Sequence, residues 1–189
     1  MTEASPTDKP DDRFRQELIA NLPHLRAFAR GLCGRPDFAD DLVQETAIKA
    51  WSARDRFEPG TNFRAWTFII LRNHYLSELR RSRRQVDYDE VVAERVLVAD
   101  AGQEAPLHLD DVQRALQLLP PERREALLLV GAGGFSYEQA AEICECAVGT
   151  MKSRVARGRA ALTELLNGDA LGRRGRSERS KLRPSPAQR

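Results

Sequence analysis

A cluster of basic side chains near the end of the chain carries the clearest chemistry in the sequence. Lys152, Arg154, Arg157 and Arg159 follow one another closely, and no acidic residue interrupts them before Glu164. Lysine and arginine neutralise the phosphates of nucleic acids, and a helix that carries them fits the major groove of DNA. Because a basic cluster also suits the solvated face of an ordinary helical bundle, the neighbouring elements must decide between the two interpretations.

Those neighbouring elements have the layout of a helix-turn-helix. A short helix is predicted over 137–144, where Ser136 and Gln139 can form a capping box, and a longer helix is predicted over 148–166. The small Ala141 lets the two helices approach closely, and their shared core is supplied by Ile143, Val148, Met151 and Val155. With base edges near the start of the second helix and phosphates near its cations, the candidate DNA contacts are Gly149, Thr150, Lys152, Ser153, Arg154, Arg157 and Arg159.

A second group of polar and basic residues lies on the predicted helix FRAWTFIILRNHYLSELRRSRR, which Asn62 or Thr61 can cap. Trp66 and Ile70 share a face with Phe63 and are assigned to the core. An amide can hydrogen-bond a base and guanidinium groups can hold phosphates. The candidate nucleic-acid contacts on this helix are therefore Arg64, Arg72, Asn73, Arg80 and Arg81.

A third group consists of hydrogen-bond acceptors on the outer face of the predicted helix PDFADDLVQETAIKAWS. Its apolar stripe is Ala39, Leu42, Val43, Thr46, Ala47 and Ala50, which leaves Asp41, Gln44, Glu45 and Lys49 outside. Asp41, Gln44 and Glu45 lie within one helical turn and can accept from basic groups on another protein. The same residues also suit a plain solvated face.

Apolar residues recur at helical spacing and no alternating strand pattern is present, so the chain is predicted to be all-α. The net charge of +2 says little, but the charges are segregated, with an arginine-rich segment directly before an acidic one. The expected organisation is a disordered N-terminus (1–10), a helical domain (11–84), an acidic linker (85–106), a second helical domain (107–167) and a disordered basic tail (168–189). Whether a short helix forms inside the linker, over 91–98, is left open.

Prolines and capping residues set the predicted helix ends. Pro23 is costly inside a helix, so the first helical stretch is expected to split at Asn21. Asp37 is expected to cap the second helix. In the second domain, Pro120 ends one helix and Pro121 suits the first turn of the next.

Several functional classes are excluded by what the sequence lacks. No apolar run is long enough to span a membrane and the N-terminus has no apolar signal core, so a cytoplasmic protein is expected. His24, His74 and His108 have no metal-ligand spacing, and Cys144 and Cys146 fit buried small residues near a turn better than a metal site. With no phosphate-binding glycine loop and no catalytic grouping, neither an enzyme nor a cofactor is expected.

Taken together, these segments resemble the extracytoplasmic-function sigma factors, a group of sigma-70-type subunits of bacterial RNA polymerase. VGTMKSRVARGRAAL resembles their promoter-binding C-terminal domain, DFADDLVQETAIKAW their core-polymerase-binding helix, and FRAWTFIILRNHYLSELRR their minus-ten helix. The resemblance covers roughly residues 13–167. The segment LPPERREALLLVGAGGFSYEQAAEICECAVGT is most similar to the alphaproteobacterial general-stress-response (EcfG-type) subgroup.

The resemblance implies two small domains, a sigma region 2 bundle and a sigma region 4 helix-turn-helix, joined by the acidic linker. It implies that region 4 binds the minus-thirty-five element and that region 2 melts the minus-ten element, with Thr61 and Asn62 in the loop that holds the unwound strand. It also implies contacts to the clamp helices of the polymerase largest subunit from Asp41, Gln44, Glu45 and Lys49. The subgroup further implies regulation by a small anti-sigma factor.

Two alternatives are compatible with parts of the sequence. A sigma-like decoy would sequester an anti-sigma factor without binding DNA, although both basic helices are retained here. An ordinary helix-turn-helix repressor would leave the polymerase-binding helix unexplained. Two departures from expectation are Glu145, which stands where the family often has a turn glycine, and Gly158, where helix propensity favours alanine by about 1 kcal/mol.

Overall fold

The computed structural model describes residues 10–86 and 107–167. Within these ranges the fold is helical and no strand is present, which confirms the all-α prediction. The α-helices are α1 (Pro10–Cys33), α2 (Pro36–Ser52), α3 (Phe63–Val86), α4 (Leu107–Gln117), α5 (Pro121–Leu127), α6 (Tyr137–Ile143) and α7 (Val148–Asn167). A 3-10 turn follows α2 at Arg54–Arg56, and a π-helical turn extends α5 over Leu128–Ala132. The optional helix over 91–98 and both terminal segments lie outside the described residues.

Helix α1 continues through Pro23, so the prediction of a break at Asn21 was wrong. A proline inside a helix costs about 3 kcal/mol through the lost hydrogen bond and the clash with the preceding turn. Leu18 before Pro23 and Leu25 and Leu32 after it are all buried on one face. Each buried leucine contributes about 1.5–3 kcal/mol, and only a continuous helix buries them together, so packing outweighs the cost of the proline.

Helices α2 and α3 begin with different capping arrangements. Arg35 is the N-cap of α2, makes no side-chain capping bond and precedes Pro36 at the first helical position, so the expectation that Asp37 caps this helix was wrong. Asp37 lies in the first turn, where its negative carboxylate interacts favourably with the positive end of the helix dipole. At α3, the Asn62 side-chain oxygen accepts from the Ala65 amide at 3.0 Å, which makes Asn62 the capping residue.

The predicted inner faces of α2 and α3 are confirmed by burial. Ala39, Leu42, Val43, Thr46 and Ala50 are the buried residues of α2. On α3, Trp66 and Ile70 pack against a small cluster that contains Phe14 and Phe63. The outward face of α2 consequently remains exposed.

In the second domain, Pro121 occupies the first turn of α5, as predicted, and α7 packs across α5. Gly158 is buried at this crossing. A Cβ atom at Gly158 would lie 3.0 Å from Leu127 Cγ and 3.2 Å from the Arg123 carbonyl oxygen. The packing of α7 on α5 therefore opposes the alanine that helix propensity favours at this position.

One hydrophobic core spans both domains. It joins Leu25 and Phe28 of α1 and Phe68 of α3 to Leu129 and Phe135 of the second domain. The rings of Phe68 and Phe135 meet edge to face, with centroids 4.9 Å apart and planes inclined at 74°. The second domain thus lies directly on α1 and α3.

Candidate nucleic-acid interface

Helices α6 and α7 form the predicted helix-turn-helix. The Ser136 hydroxyl accepts from the Gln139 amide at 3.2 Å, and the Gln139 side-chain oxygen accepts from the Ser136 amide at 3.0 Å, which completes the capping box. Ala141 and Ile143 of α6 are buried, as are Met151 and Val155 of α7. Val148 is half-buried against the same core. Close packing of these small and apolar side chains fixes the orientation of α7.

The turn between the two helices has Glu145 in the left-handed region, with φ of 53°. The Glu145 amide donates to the Glu142 carbonyl at 3.1 Å and the Cys146 amide donates to the Ala141 carbonyl at 3.0 Å. This pair of bonds is the Schellman motif, which normally has glycine at the left-handed position. Glu145 therefore adopts a conformation that glycine normally supplies, so the turn geometry is retained and the steric cost is tolerated.

The face of α7 that points away from the core carries the predicted DNA contacts. Met151, Val155 and Gly158 are the buried residues of α7. Most of the candidates are exposed, and only Ser153 and Arg154 are half-buried. The exposed candidates are Gly149, Thr150, Lys152, Arg157 and Arg159. A Cβ atom at Gly149 would meet nothing within 4 Å, so no described part of the chain covers the start of this face.

On the first domain, part of the predicted minus-ten set is exposed. Asn73, Arg80 and Arg81 lie on the outside of α3, and Thr61 and Asn62 lie at the surface of the loop that precedes it. Asn62 is held by its capping bond, and the Thr61 hydroxyl donates to the Glu58 carbonyl at 2.8 Å.

The two remaining candidates on this helix, Arg64 and Arg72, are directed into the contact with the second domain. The Arg72 Nε donates to Glu125 Oε1 at 2.8 Å, and only 13% and 10% of the two side chains are exposed. The Arg64 guanidinium lies over the rings of Phe68 and Phe135, at 5.7 and 5.2 Å from their centroids. Arg72 is thus paired and almost wholly covered, and Arg64 is half-buried against two rings. Sequence reasoning missed this feature because it depends on the docking of the domains.

The acceptor cluster of α2 is exposed as predicted, and Asp41, Gln44 and Glu45 all face solvent. The Lys49 ammonium lies 2.9 Å from His74 Nδ1 of α3. Burial, together with the positive charge of Lys49, lowers the pKa of His74, so the neutral imidazole accepts this hydrogen bond.

Sequence reasoning overlooked Ile48, which is 52% exposed on the same helix. The signal was available, because Ile48 falls outside the predicted apolar stripe of α2. Ile48 lies about one turn from Gln44 and Glu45, so an apolar side chain stands beside these acceptors on the exposed face of α2.

The described residues contain no cluster of three or more histidine, cysteine or acidic side chains able to hold a metal ion. None of the described helices has the length and apolar character needed to cross a membrane. Cys144 is buried at the domain contact, where burial and the neighbouring Glu125 carboxylate raise the pKa of its thiol to about 12. It is accordingly a small neutral packing residue.

Comparison with known proteins agrees with this geometry. Residues 18–85 match the Sigma-70 region 2 family and residues 109–162 match Sigma-70, region 4. The chain therefore belongs to the sigma-70 family of RNA polymerase sigma factors, as a member that combines regions 2 and 4.

Within that family the similarities are to extracytoplasmic-function members. The chain is 50% identical over 155 residues to "ECF RNA polymerase sigma factor EcfG" of Rhodopseudomonas palustris, which covers 82% of this chain and 86% of the relative. It is similar to the sigma factor RpoE of Bartonella quintana, solved with the anti-sigma factor NepR, at a TM-score of 0.75 and 48% identity, covering 83% of this chain and 98% of that one. It is also similar to CnrH, solved with the cytosolic domain of CnrY, at a TM-score of 0.63 and 30% identity, covering 82% and 88% of the two chains.

These similarities confirm the resemblance to the EcfG type that the sequence indicated. Sigma factors are initiation subunits of RNA polymerase rather than enzymes, so this chain directs polymerase to promoters and catalyses no reaction of its own. A decoy function is not favoured.

Proposed function

We propose that α7 reads the minus-thirty-five promoter element, that α3 and its preceding loop hold the opened minus-ten strand, and that α2 docks on the clamp helices of core polymerase. The observation that supports the first assignment is the exposed basic face of α7, which is set opposite its buried Met151 and Val155. A helix fixed in this way can enter a major groove with its cations toward the phosphates.

Run-off transcription with purified core polymerase tests this assignment. The Arg157→Ala chain should lose promoter-directed transcription, while Arg13→Ala, which removes an exposed arginine on α1, should transcribe like the unmodified chain. Loss of one phosphate contact should also reduce the slope of log affinity against log salt by about 0.9 on duplex DNA. Equal transcription by both variants would remove Arg157 from the DNA surface.

The minus-ten assignment concerns promoter opening rather than duplex binding. Asn73 is exposed on α3, and its amide can bond an unpaired base. Permanganate footprinting of an open complex should lose reactive thymines with Asn73→Ala. Normal opening would exclude Asn73.

The polymerase-binding assignment rests on the exposed acceptors of α2 and on Ile48 beside them. Glu45→Ala should weaken binding to core polymerase in a pull-down titration, because it removes an acceptor for basic groups on the clamp helices. Asp55→Ala, which removes an exposed acid outside α2, is the matched control. Unchanged affinity for Glu45→Ala would count against this surface.

The similar sigma factors solved with NepR and with CnrY support regulation of this chain by a small anti-sigma protein. We propose that this anti-sigma protein contacts both domains of the chain. We also propose that the chain acts in the general stress response, in the cytoplasm where polymerase works. Co-purification of such a protein, and loss of run-off transcription when it is added, would test this part.

A further inference from the structure

The contact between the two domains is polar at its centre. Arg72 of α3 and Glu125 of α5 form an ion pair that is almost wholly removed from solvent. Burial lowers the pKa of the Arg72 guanidinium, but the attraction of Glu125 and other nearby groups outweighs this and leaves the pKa above its ordinary value. A buried charge that loses its partner is strongly unfavourable, so this pair ties the docked positions of α3 and α5 together.

A second polar connection uses the C-terminal end of α1. The carbonyls in the last turn of a helix have no partner within the helix. Gln117 Nε2 donates to the Gly31 carbonyl at 2.8 Å, and Arg124 Nη1 donates to the Leu32 carbonyl at 2.7 Å. Arg124 Nη1 also donates to the Gln117 side-chain oxygen at 2.7 Å, so two side chains of the second domain complete a helix end of the first.

A third connection is steric. Leu128 fills a notch on α1 that exists because residue 31 is glycine. A Cβ atom at Gly31 would lie 2.5 Å from Leu128 Cδ2 and 3.3 Å from Leu128 Cγ. Glycine near the end of α1 is therefore matched to the presence of the second domain.

The docked second domain covers a specific part of α3. Phe135 lies against the Arg64 guanidinium, whose Nε is buried with no hydrogen-bond partner among the described residues, and Glu125 holds Arg72. Asn73 on the same helix remains exposed, as do the outer faces of α2 and α7. Docking thus covers Arg72 almost completely and Arg64 in part, and leaves the other two surfaces accessible.

We propose that this docked arrangement is a self-inhibited form of the chain, in which region 4 holds Arg64 and Arg72 away from single-stranded DNA until the two domains separate. The consequence for DNA rests on the proposed function of α3, whereas the docking itself does not. The lock consists of the Arg72–Glu125 pair, the bonds from Gln117 and Arg124 to α1, and Leu128 in the Gly31 notch.

Gly31→Leu in the full chain is the test, because it blocks the notch without changing any charge. Gly131→Leu is the matched control, since a Cβ atom at Gly131 would meet nothing within 4 Å. Small-angle scattering of the free protein should show a larger radius of gyration for Gly31→Leu only. Circular dichroism should show the same helical content for both variants.

The same variants are titrated with a fluorescein-labelled single strand of about twelve thymidines, because phosphate contacts need no particular sequence. Two released arginines should steepen the slope of log affinity against log salt by about 1.4 for Gly31→Leu and leave it unchanged for Gly131→Leu. An unchanged radius of gyration would overturn the lock, and an increased radius with an unchanged slope would overturn the masking of DNA contacts.

A charge exchange provides an independent route. Glu125→Arg places like charges together and should increase the radius of gyration, and adding Arg72→Glu should restore the compact value. Failure of the double variant to recover would overturn the role of this pair. Run-off transcription by the unmodified chain tests the proposed function separately. If the unmodified chain transcribes but the variants show no change in radius of gyration, only the lock is contradicted.

Discussion

Replacing Gly158 by alanine sets helix propensity against helix packing at one site. Alanine is favoured over glycine inside a helix by about 1 kcal/mol. The new Cβ atom would lie 3.0 Å from Leu127 Cγ, 3.1 Å from Leu127 Cδ1 and 3.2 Å from the Arg123 carbonyl oxygen. The Leu127 side chain can shift slightly, but the carbonyl belongs to the backbone of α5 and cannot move without disturbing that helix.

Overpacking of this kind costs about 1–3 kcal/mol, so the net effect of Gly158→Ala is a loss of about 1 kcal/mol. Gly149→Ala makes the same chemical change in the same helix, where a Cβ atom meets nothing within 4 Å, and should not destabilise the protein. For a domain of about 60–100 residues, such as 107–167, a loss of 1 kcal/mol lowers Tm by about 4–8 °C.

The assay is thermal unfolding followed by circular dichroism at fixed protein concentration and pH. The informative quantity is the difference between the two variants, because it cancels most of the effect that glycine has on the unfolded chain. A Tm for Gly158→Ala equal to or above that of Gly149→Ala would refute the reasoning, since it would show that α5 and α7 adapt without cost.

Three further predictions concern other single sites. Glu145→Gly should raise the free energy of unfolding by about 1 kcal/mol in denaturant titrations because it relieves the left-handed strain, whereas Glu145→Ala should not. Thr67→Val should cost about 1–3 kcal/mol in the same titration because it leaves the buried Asn21 amide without its acceptor, and Thr61→Val at the surface should cost less. Burial and the Glu125 carboxylate raise the pKa of the Cys144 thiol to about 12, so Cys144 should resist iodoacetamide in the native protein at about pH 8.5 and react after unfolding. Mass spectrometry measures the labelling, and rapid labelling of the native protein would contradict the burial of Cys144.

The sequence by itself determined the elements whose causes are local. The capping box of Ser136 and Gln139 and the first-turn position of Pro121 follow from side chains that act on backbone groups a few residues away. The exposed basic face of α7 follows from helical periodicity, since burial of Met151 and Val155 leaves Lys152, Arg157 and Arg159 outside.

Tertiary structure decided the features that depend on residues far apart in the chain. Pro23 stays within α1 because the buried face of that helix contributes more than the proline costs. Gly31 and Gly158 have partners, Leu128 and Leu127, that no local pattern identifies.

The same distinction applies to the candidate site. Sequence reasoning placed Arg64 and Arg72 on the nucleic-acid face of α3 because it could assess only their chemistry and helical position. Their neighbours in the fold are Phe135 and Glu125, and Glu125 lies 53 positions beyond Arg72 in the chain. Local propensities of about 1 kcal/mol fix where helices begin and end, but docking of the two domains decides which of their cations are exposed.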